Sequence, residues 1–200
     1  NGSAALDPQL LQMLKDLRRE VAKQNNVPPF VVFLENSLED MATSYPTSMK
    51  ELENIAGVSK GKALKYGRKF VDLIGKYVEE NDIQKVDDFV MRSVVNKSGL
   101  KVFIIQNIDK KIPLETIANM KDINMLDLLD EMETIVSSGT KLNLDYCIDD
   151  YVDEYDQDEI YEHLQSSDTG NLQEVYEELK DNNISIEQLR LMRIKFMSEY

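Results

Sequence analysis

The 200-residue chain has one cysteine, one histidine and no tryptophan. With Cys147 alone, an internal disulfide or a cysteine-ligated zinc is impossible, as suits a reducing compartment. With His163 alone, histidine-rich metal sites are excluded and no histidine-based triad can be assembled, so His163 reads as a surface residue. No apolar run approaches the ~20 residues of a membrane-spanning helix, and no secretory leader pattern is visible, so no membrane contact is expected. Phosphate-loop chemistry is missing too. Gly61-Lys62 and Gly75-Lys76 lack the partner glycine and the Ser/Thr of a nucleotide-binding loop. These residues are expected to hold no cofactor and to hydrolyse no ATP. Strand signals, internal repeats and low-complexity tracts are also lacking.

Acid is plentiful. The formal net charge is -14, and it is unevenly spread. Residues 1–80 contain 11 Lys/Arg and 11 Asp/Glu, whereas residues 81–200 contain 12 and 26. This asymmetry predicts two units with different surfaces, joined near Glu79-Glu80-Asn81-Asp82. The expected organisation is a disordered lead-in over 1–5, a first domain over 6–80 and an acidic second domain over 84–200. The densest acidic run, Asp149 to Glu159, lacks the glycine at position six and the glutamate at position twelve of a calcium loop. It reads as a solvated face, or as one that docks a basic partner or competes intramolecularly with DNA.

The periodicity is helical nearly throughout. Asp7-Pro8 is an N-cap followed by a first-turn proline, and Leu10, Leu14, Leu17 and Val21 recur at helical spacing. Asn25-Asn26 and Pro28-Pro29 stop that helix before the apolar crossing Phe30 to Phe33. Ser37 is placed to cap a short helix carrying Leu38, Met41 and Ala42. Ser48 with Glu51 forms a capping-box pattern, and Gly57 closes the helix that follows. A long helix is predicted from Lys60 to Val78. Further helices are predicted over 86–95 and 100–108. Leu114 to Ala118, a turn at Met120 to Asn124 and a helix over 125–136 give a helix-turn-helix outline. Residues 165–172 read as a loop and 175–179 as a helix. Ser185 with Gln188 caps a last helix bearing Leu189, Met192 and Phe196.

The stretch Gly57-Val58-Ser59-Lys60-Gly61-Lys62 is the strongest functional signal. A glycine turn opening a helix lets backbone N–H groups approach an anion, and the helix dipole favours it. Lys60, Lys62, Lys65, Arg68 and Lys69 add positive charge of the kind a phosphate backbone requires. A uniform 100° step puts Ala63, Gly67, Phe70, Val71, Ile74 and Val78 on one side and Lys62, Lys65, Lys69 and Lys76 on the other. Single-strand binding also wants an aromatic on which a base can stack. Phe30 and Tyr66 are candidates, each with core packing as the competing role. The second helix of the helix-turn-helix outline is expected to expose Asp127, Asp130, Glu131 and Glu133 and has no Lys or Arg. That argues against base reading in a major groove and leaves Lys110, Lys111 and Lys141 for edge contacts.

Residues 6–80 resemble the HRDC domain, a helical module of RecQ-type DNA helicases and ribonuclease D-type enzymes. The resemblance rests on Leu17-Arg18 and Ala22, Asn26 to Phe33, Leu38 to Ala42, and Pro46-Thr47. It continues through Glu51-Leu52, Ile55 to Val58, and Lys62 to Phe70 with Tyr66-Gly67. The second part is similar to the helix-turn-helix region that follows HRDC in some bacterial RecQ proteins, through Ile112 to Met120, Gly139 with Leu142 to Leu144, and Ser185 to Met192. The resemblance implies an all-α chain, an HRDC-like bundle plus a second helical domain with a helix-turn-helix. It also implies single-stranded or partly duplex DNA as the partner of the first domain, and Phe30, Lys60, Lys62 and Lys65 as contact residues. Ser59 replaces the second turn glycine, and Phe30 stands where many members have tyrosine. The implied setting is the accessory, regulatory region of a cytoplasmic, nucleoid-associated ATP-dependent helicase in DNA repair and recombination. Its rivals are a ribonuclease D-like accessory module and a protein-interaction module that does not touch DNA.

Overall fold

A computed structural model describes residues 6–83, 98–179 and 183–200. Every regular element among the described residues is helical, and the chain divides into two compact units. The lead-in expected over 1–5 and the helix expected over 86–95 lie outside the described residues.

In the first unit, α1 (Pro8–Asn25) starts where Asp7 accepts hydrogen bonds from the backbone of Gln9 and Leu10, both at 3.0 Å. It ends at Asn26, whose left-handed backbone (φ 54°) reverses the chain. Pro28-Pro29 then launches α2 (Pro29–Val32), so the apolar crossing is a single helical turn with Phe33 extended behind it. The next helix, α3 (Glu35–Ser44), begins two residues earlier than its expected Ser37 cap, and Leu34 offers no capping side chain. Ser37 is instead buried, and its hydroxyl donates to Ala56 O at 2.7 Å, tying α3 to the later turn. One turn, α4 (Met49–Leu52), is capped by Ser48, and Glu51 reaches back to Thr47 N rather than Ser48 N. The chain turns through Gly57 at φ +77°, a conformation that L side chains rarely adopt.

Beyond the turn, α5 (Lys60–Lys62), a five-residue π-turn (Ala63–Gly67) and α6 (Arg68–Glu80) follow without a break. The core gathers Leu10, Leu14, Leu38, Met41, Leu52, Phe70 and Ile74, all fully buried. Phe33 meets the Phe70 ring edge-on at 4.9 Å between centroids, a favoured aromatic geometry. Gly67 lies so close to α4 that a Cβ there would collide with Leu52.

Asp7 also closes the bundle. Its carboxylate accepts from Tyr77 at 2.8 Å and from Tyr45 at 3.2 Å, and its N–H donates to Ala42 O. Burial alone would raise its pKa, but the hydrogen bonds from Leu10, Tyr77, Tyr45 and Gln9 bring it below the ordinary value. Asp7→Ala should therefore cost about 2 kcal/mol, from the lost cap and the two phenols left without their acceptor. Urea unfolding of the Asp7→Ala chain against wild type measures it, and a loss under ~0.5 kcal/mol would refute the triple role.

The second unit contains α7 (Ser98–Asp109), α8 (Leu114–Met120), α9 (Met125–Ser137), a 3-10 turn (Ile148–Asp150), α10 (Glu154–Ser166), α11 (Leu172–Glu178) and α12 (Ile186–Glu199). Lys111 (φ 58°) and Pro113 separate α7 from α8. Asn124 caps α9 by accepting from Asp127 N at 2.9 Å. The capping box of α12 is complete, Ser185 and Gln188 each accepting from the other's backbone. α11 starts three residues before the expected Val175. α12 packs along α9, with Leu128, Leu129, Met132 and Ile135 facing inward and Met125 half-buried.

Candidate nucleic-acid interface

The glycine turn delivers the chain to Ser59, whose hydroxyl accepts from Lys62 N at 3.2 Å and caps the new helix. The π-turn that follows is wider than an α-turn. It shifts the phase of the residues before it relative to α6. Buried positions therefore recur at Lys62-Ala63, Tyr66-Gly67 and Phe70-Val71, which adds Lys62 and Tyr66 to the inner face that a uniform 100° step gives to Ala63, Gly67, Phe70 and Val71.

That shift decides the fate of Lys62. The residue expected on the outer stripe is only 8 % exposed, and its ammonium donates to Val31 O at 2.9 Å. Burial, with Lys65 nearby, lowers its pKa to about 8. Val31 lies in the single turn α2, where carbonyls have no intrahelical partner. Lys62 is thus a clamp on the proline crossing, its ammonium turned inward to a backbone carbonyl rather than outward with the stripe.

Arg18 is a second clamp. Only 2 % exposed, it donates to Phe33 O and to the Glu35 carboxylate, both at 3.1 Å. Lys15 pairs with the same carboxylate. Burial alone would raise the Glu35 pKa, but Lys15 and Arg18 hold it below the ordinary value. The stripe of α1 that faces inward is Leu10, Leu14, Arg18, Val21 and Ala22, with Leu17 only half-buried. A charged residue four positions after Leu14 was the sequence signal for this clamp.

Two other candidates are also withdrawn from the surface. Phe30 has no exposed area, and Tyr66 is 5 % exposed, with its ring edge-on to Phe33. Neither can stack on a base in this conformation. Lys60, Lys65, Arg68 and Lys69 remain exposed along one helix edge. Lys65 lies over the Tyr66 ring at 4.9 Å, Arg68 pairs with Asp72 at 3.2 Å, and Lys69 donates to Gln24 at 2.6 Å. At 80 % and 50 % side-chain exposure, Arg68 and Lys69 keep solvent-facing charge. Surface pairings of this kind are weak, so they leave the cations available. Among them stands Leu64, 69 % exposed, which the periodicity did not single out.

In the second unit, α8, the turn and α9 form the expected helix-turn-helix. Asp127 and Asp130 are exposed, but Glu131 and Glu133 are half-buried, contrary to the expectation of a fully exposed acidic face. Arg190 and Arg193 of α12 bind Glu133 at 2.9 Å each, and Arg190 also pairs with Asp130. Arg193 further donates to Gly170 O at 2.9 Å. Lys110, Lys111 and Lys141 are exposed, and Lys141 donates to Glu199 O. A cleft of about 180 Å³ opens between α8, α9 and α12, lined by Leu114, Leu129, Leu191, Tyr151 and Glu187 among others.

Residues 7–74, the segment that contains the proline crossing, both clamps and most of the basic helix, match the family model of the HRDC domain. They form an HRDC domain. Residues 98–148 match the RecQ-1-like helix-turn-helix domain, so the chain pairs the two modules. The chain is similar to the ATP-dependent DNA helicase RecQ of Bacillus subtilis, with 39 % identity over 74 residues. That alignment covers 37 % of this chain and 12 % of the relative. Similarity to the ATP-dependent helicase wrn-1 of Caenorhabditis elegans extends further, at 26 % over 147 residues, or 68 % of this chain and 14 % of the relative. The ATP-dependent DNA helicase UvrD2 of Mycobacterium tuberculosis is 38 % identical over 72 residues, covering 36 % of this chain and 10 % of the relative. The chain therefore spans a small fraction of the length of these relatives. In this HRDC domain the motif Lys62 to Phe70 serves packing at Lys62, Tyr66 and Phe70, and surface charge at Lys65, Arg68 and Lys69.

Proposed function

We propose that this chain is an accessory region of a RecQ-type ATP-dependent DNA helicase acting in DNA repair and recombination, in the cytoplasm at the nucleoid. Its HRDC domain engages single-stranded or partly duplex DNA through Lys60, Lys65, Arg68 and Lys69. One observation carries the reading. Four exposed cations follow the glycine turn on one helix edge, in the half of the chain that carries none of the excess acid. Unwinding and ATP hydrolysis belong to the motor of the parent enzyme. The helicase names of the relatives favour this setting over a ribonuclease D-like one.

Each phosphate neutralised on a single strand contributes about 0.7 to the slope of log affinity against log salt. Four contacts give a slope near -3 on that rule. In fluorescence anisotropy with a labelled oligothymidine, the chain should bind at ~50 mM salt and weaken steeply as salt rises. The fourfold Ala variant of Lys60, Lys65, Arg68 and Lys69 should lose most of that slope. Equal binding by variant and wild type would overturn the assignment.

A second reading concerns the acidic unit. With α9 carrying no cation and its Glu133 held by Arg190 and Arg193, the helix-turn-helix suits protein contact better than base reading. Its partner would be basic, whether a separate protein or a segment of the parent enzyme.

A further inference from the structure

The exposed cations of the HRDC domain explain attraction to phosphate but not discrimination between one strand and two. Phosphate contacts position a protein on nucleic acid without reading the state of its bases. Phe30 and Tyr66, the aromatics suited to that task, are buried. The apolar group that does stand on the basic edge is Leu64, at 69 % exposure. It lies four residues after Lys60 and four before Arg68, beside Lys65, all exposed. The π-turn sets this arrangement, with Ala63, Tyr66 and Gly67 on its inner side and Leu64 and Lys65 on its outer side. A solitary exposed leucine is ordinary on a protein surface. What distinguishes Leu64 is that exposed cations stand one helical turn before it, one turn after it and next to it in sequence, which an apolar protein partner would have to desolvate and a nucleic acid would neutralise.

Resting on the DNA-binding reading above, we propose that Leu64 determines the preference for single strands by packing against an unstacked base while Lys60, Lys65 and Arg68 hold the flanking phosphates. In a duplex the base faces are occupied by their neighbours, so Leu64 gains nothing there without opening a step. In a single strand a base face is available, and burying the leucine against it is favourable.

The test compares Leu64→Ser and Leu64→Phe with wild type in the full 200-residue chain, using a labelled oligothymidine and a labelled duplex of equal length. Because Leu64 is exposed, both variants should keep the wild-type helical circular-dichroism signal. Leu64→Ser should weaken single-strand binding about fivefold, change duplex binding less than about twofold, and leave the salt slope intact. Leu64→Phe should retain or tighten single-strand binding, since an aromatic stacks on bases. A parallel loss on both DNAs, or no loss on either, would overturn the role of Leu64 while the cation reading stands. A wild-type chain that binds neither DNA at low salt would overturn the DNA reading itself, and this proposal with it.

Discussion

Replacing Arg18 with alanine should cost the HRDC domain roughly 3–4 kcal/mol, through a cavity, an unpaired carbonyl and a broken ion pair. The side chain is 2 % exposed and bridges Phe33 O and Glu35. Truncation removes a large buried side chain and strips Phe33 O of this donor. Glu35 keeps Lys15, which is why the cost stays below that of stranding a fully buried charge. A unit of this size has only ~5–10 kcal/mol to lose, so the variant approaches the edge of folding. Arg18→Lys should fall between, because one ammonium cannot span both acceptors with the fork of a guanidinium. Hydrogen exchange read by peptide mass spectrometry locates the effect. Protection should collapse in α1 and α6 and hold in α9 and α12. A drop below about tenfold in α1, equivalent to ~1.4 kcal/mol, would sink the bridge account.

Lys62 predicts an unusual pH response. Its pKa falls from an ordinary 10.5 to about 8 on folding, chiefly by burial and then by repulsion from Lys65. Below pH 8 both folded and unfolded chains hold the proton, and the folded state carries the full cost of burying the charge. Between about 8 and 10.5 the folded state releases the proton first. The unfolded state then binds more protons, so stability rises with pH. Complete relief is worth roughly 3 kcal/mol. The neutral amine can still donate to Val31 O, so the clamp survives deprotonation. Tyr77 opposes the trend only above pH 10, because burial and its bond to Asp7 hold it up to about 12 in the fold. Urea midpoints of the full chain should therefore increase from pH 7 to pH 9.5. In Lys62→Met this rise should vanish, since no buried cation remains to be relieved. Parallel pH profiles for the two chains would show that Lys62 is not the group responsible.

Much of the architecture was legible because local signals and packing agree. Pro113 and Asn124 bracket α8 and the turn before α9, and the Leu128, Leu129, Met132, Ile135 period gives the inward face of α9 directly. Ser185 and Gln188 mark the start of α12 by chemistry alone. The site was less legible. No residue pattern announces a π-turn, so counting at a fixed angle placed Lys62 outside when it lies within. Arg18 sits in phase with Leu14 and Val21, yet an arginine does not declare itself as core. Phe30 fitted both stacking and packing, and only the tertiary fold distinguishes them. The pairing of Glu133 with Arg190 and Arg193 spans 57 and 60 residues of sequence, beyond the reach of any local pattern.

The π-turn between Lys62 and Arg68 amounts to one extra residue absorbed without breaking the helix. It lets the two halves of that helix obey different partners. Phe70 and Ile74 are registered to the bundle, whereas Lys60 and Lys62 are registered to the glycine turn and the proline crossing. Shortening the turn by one residue would preserve a helix but rotate its beginning by about 100° against its end. Lys62 would swing away from Val31 while Phe70 stayed in place. Insertions and deletions inside 63–67 are thus a different kind of change from substitutions there: they retune the angle of the whole basic edge at once.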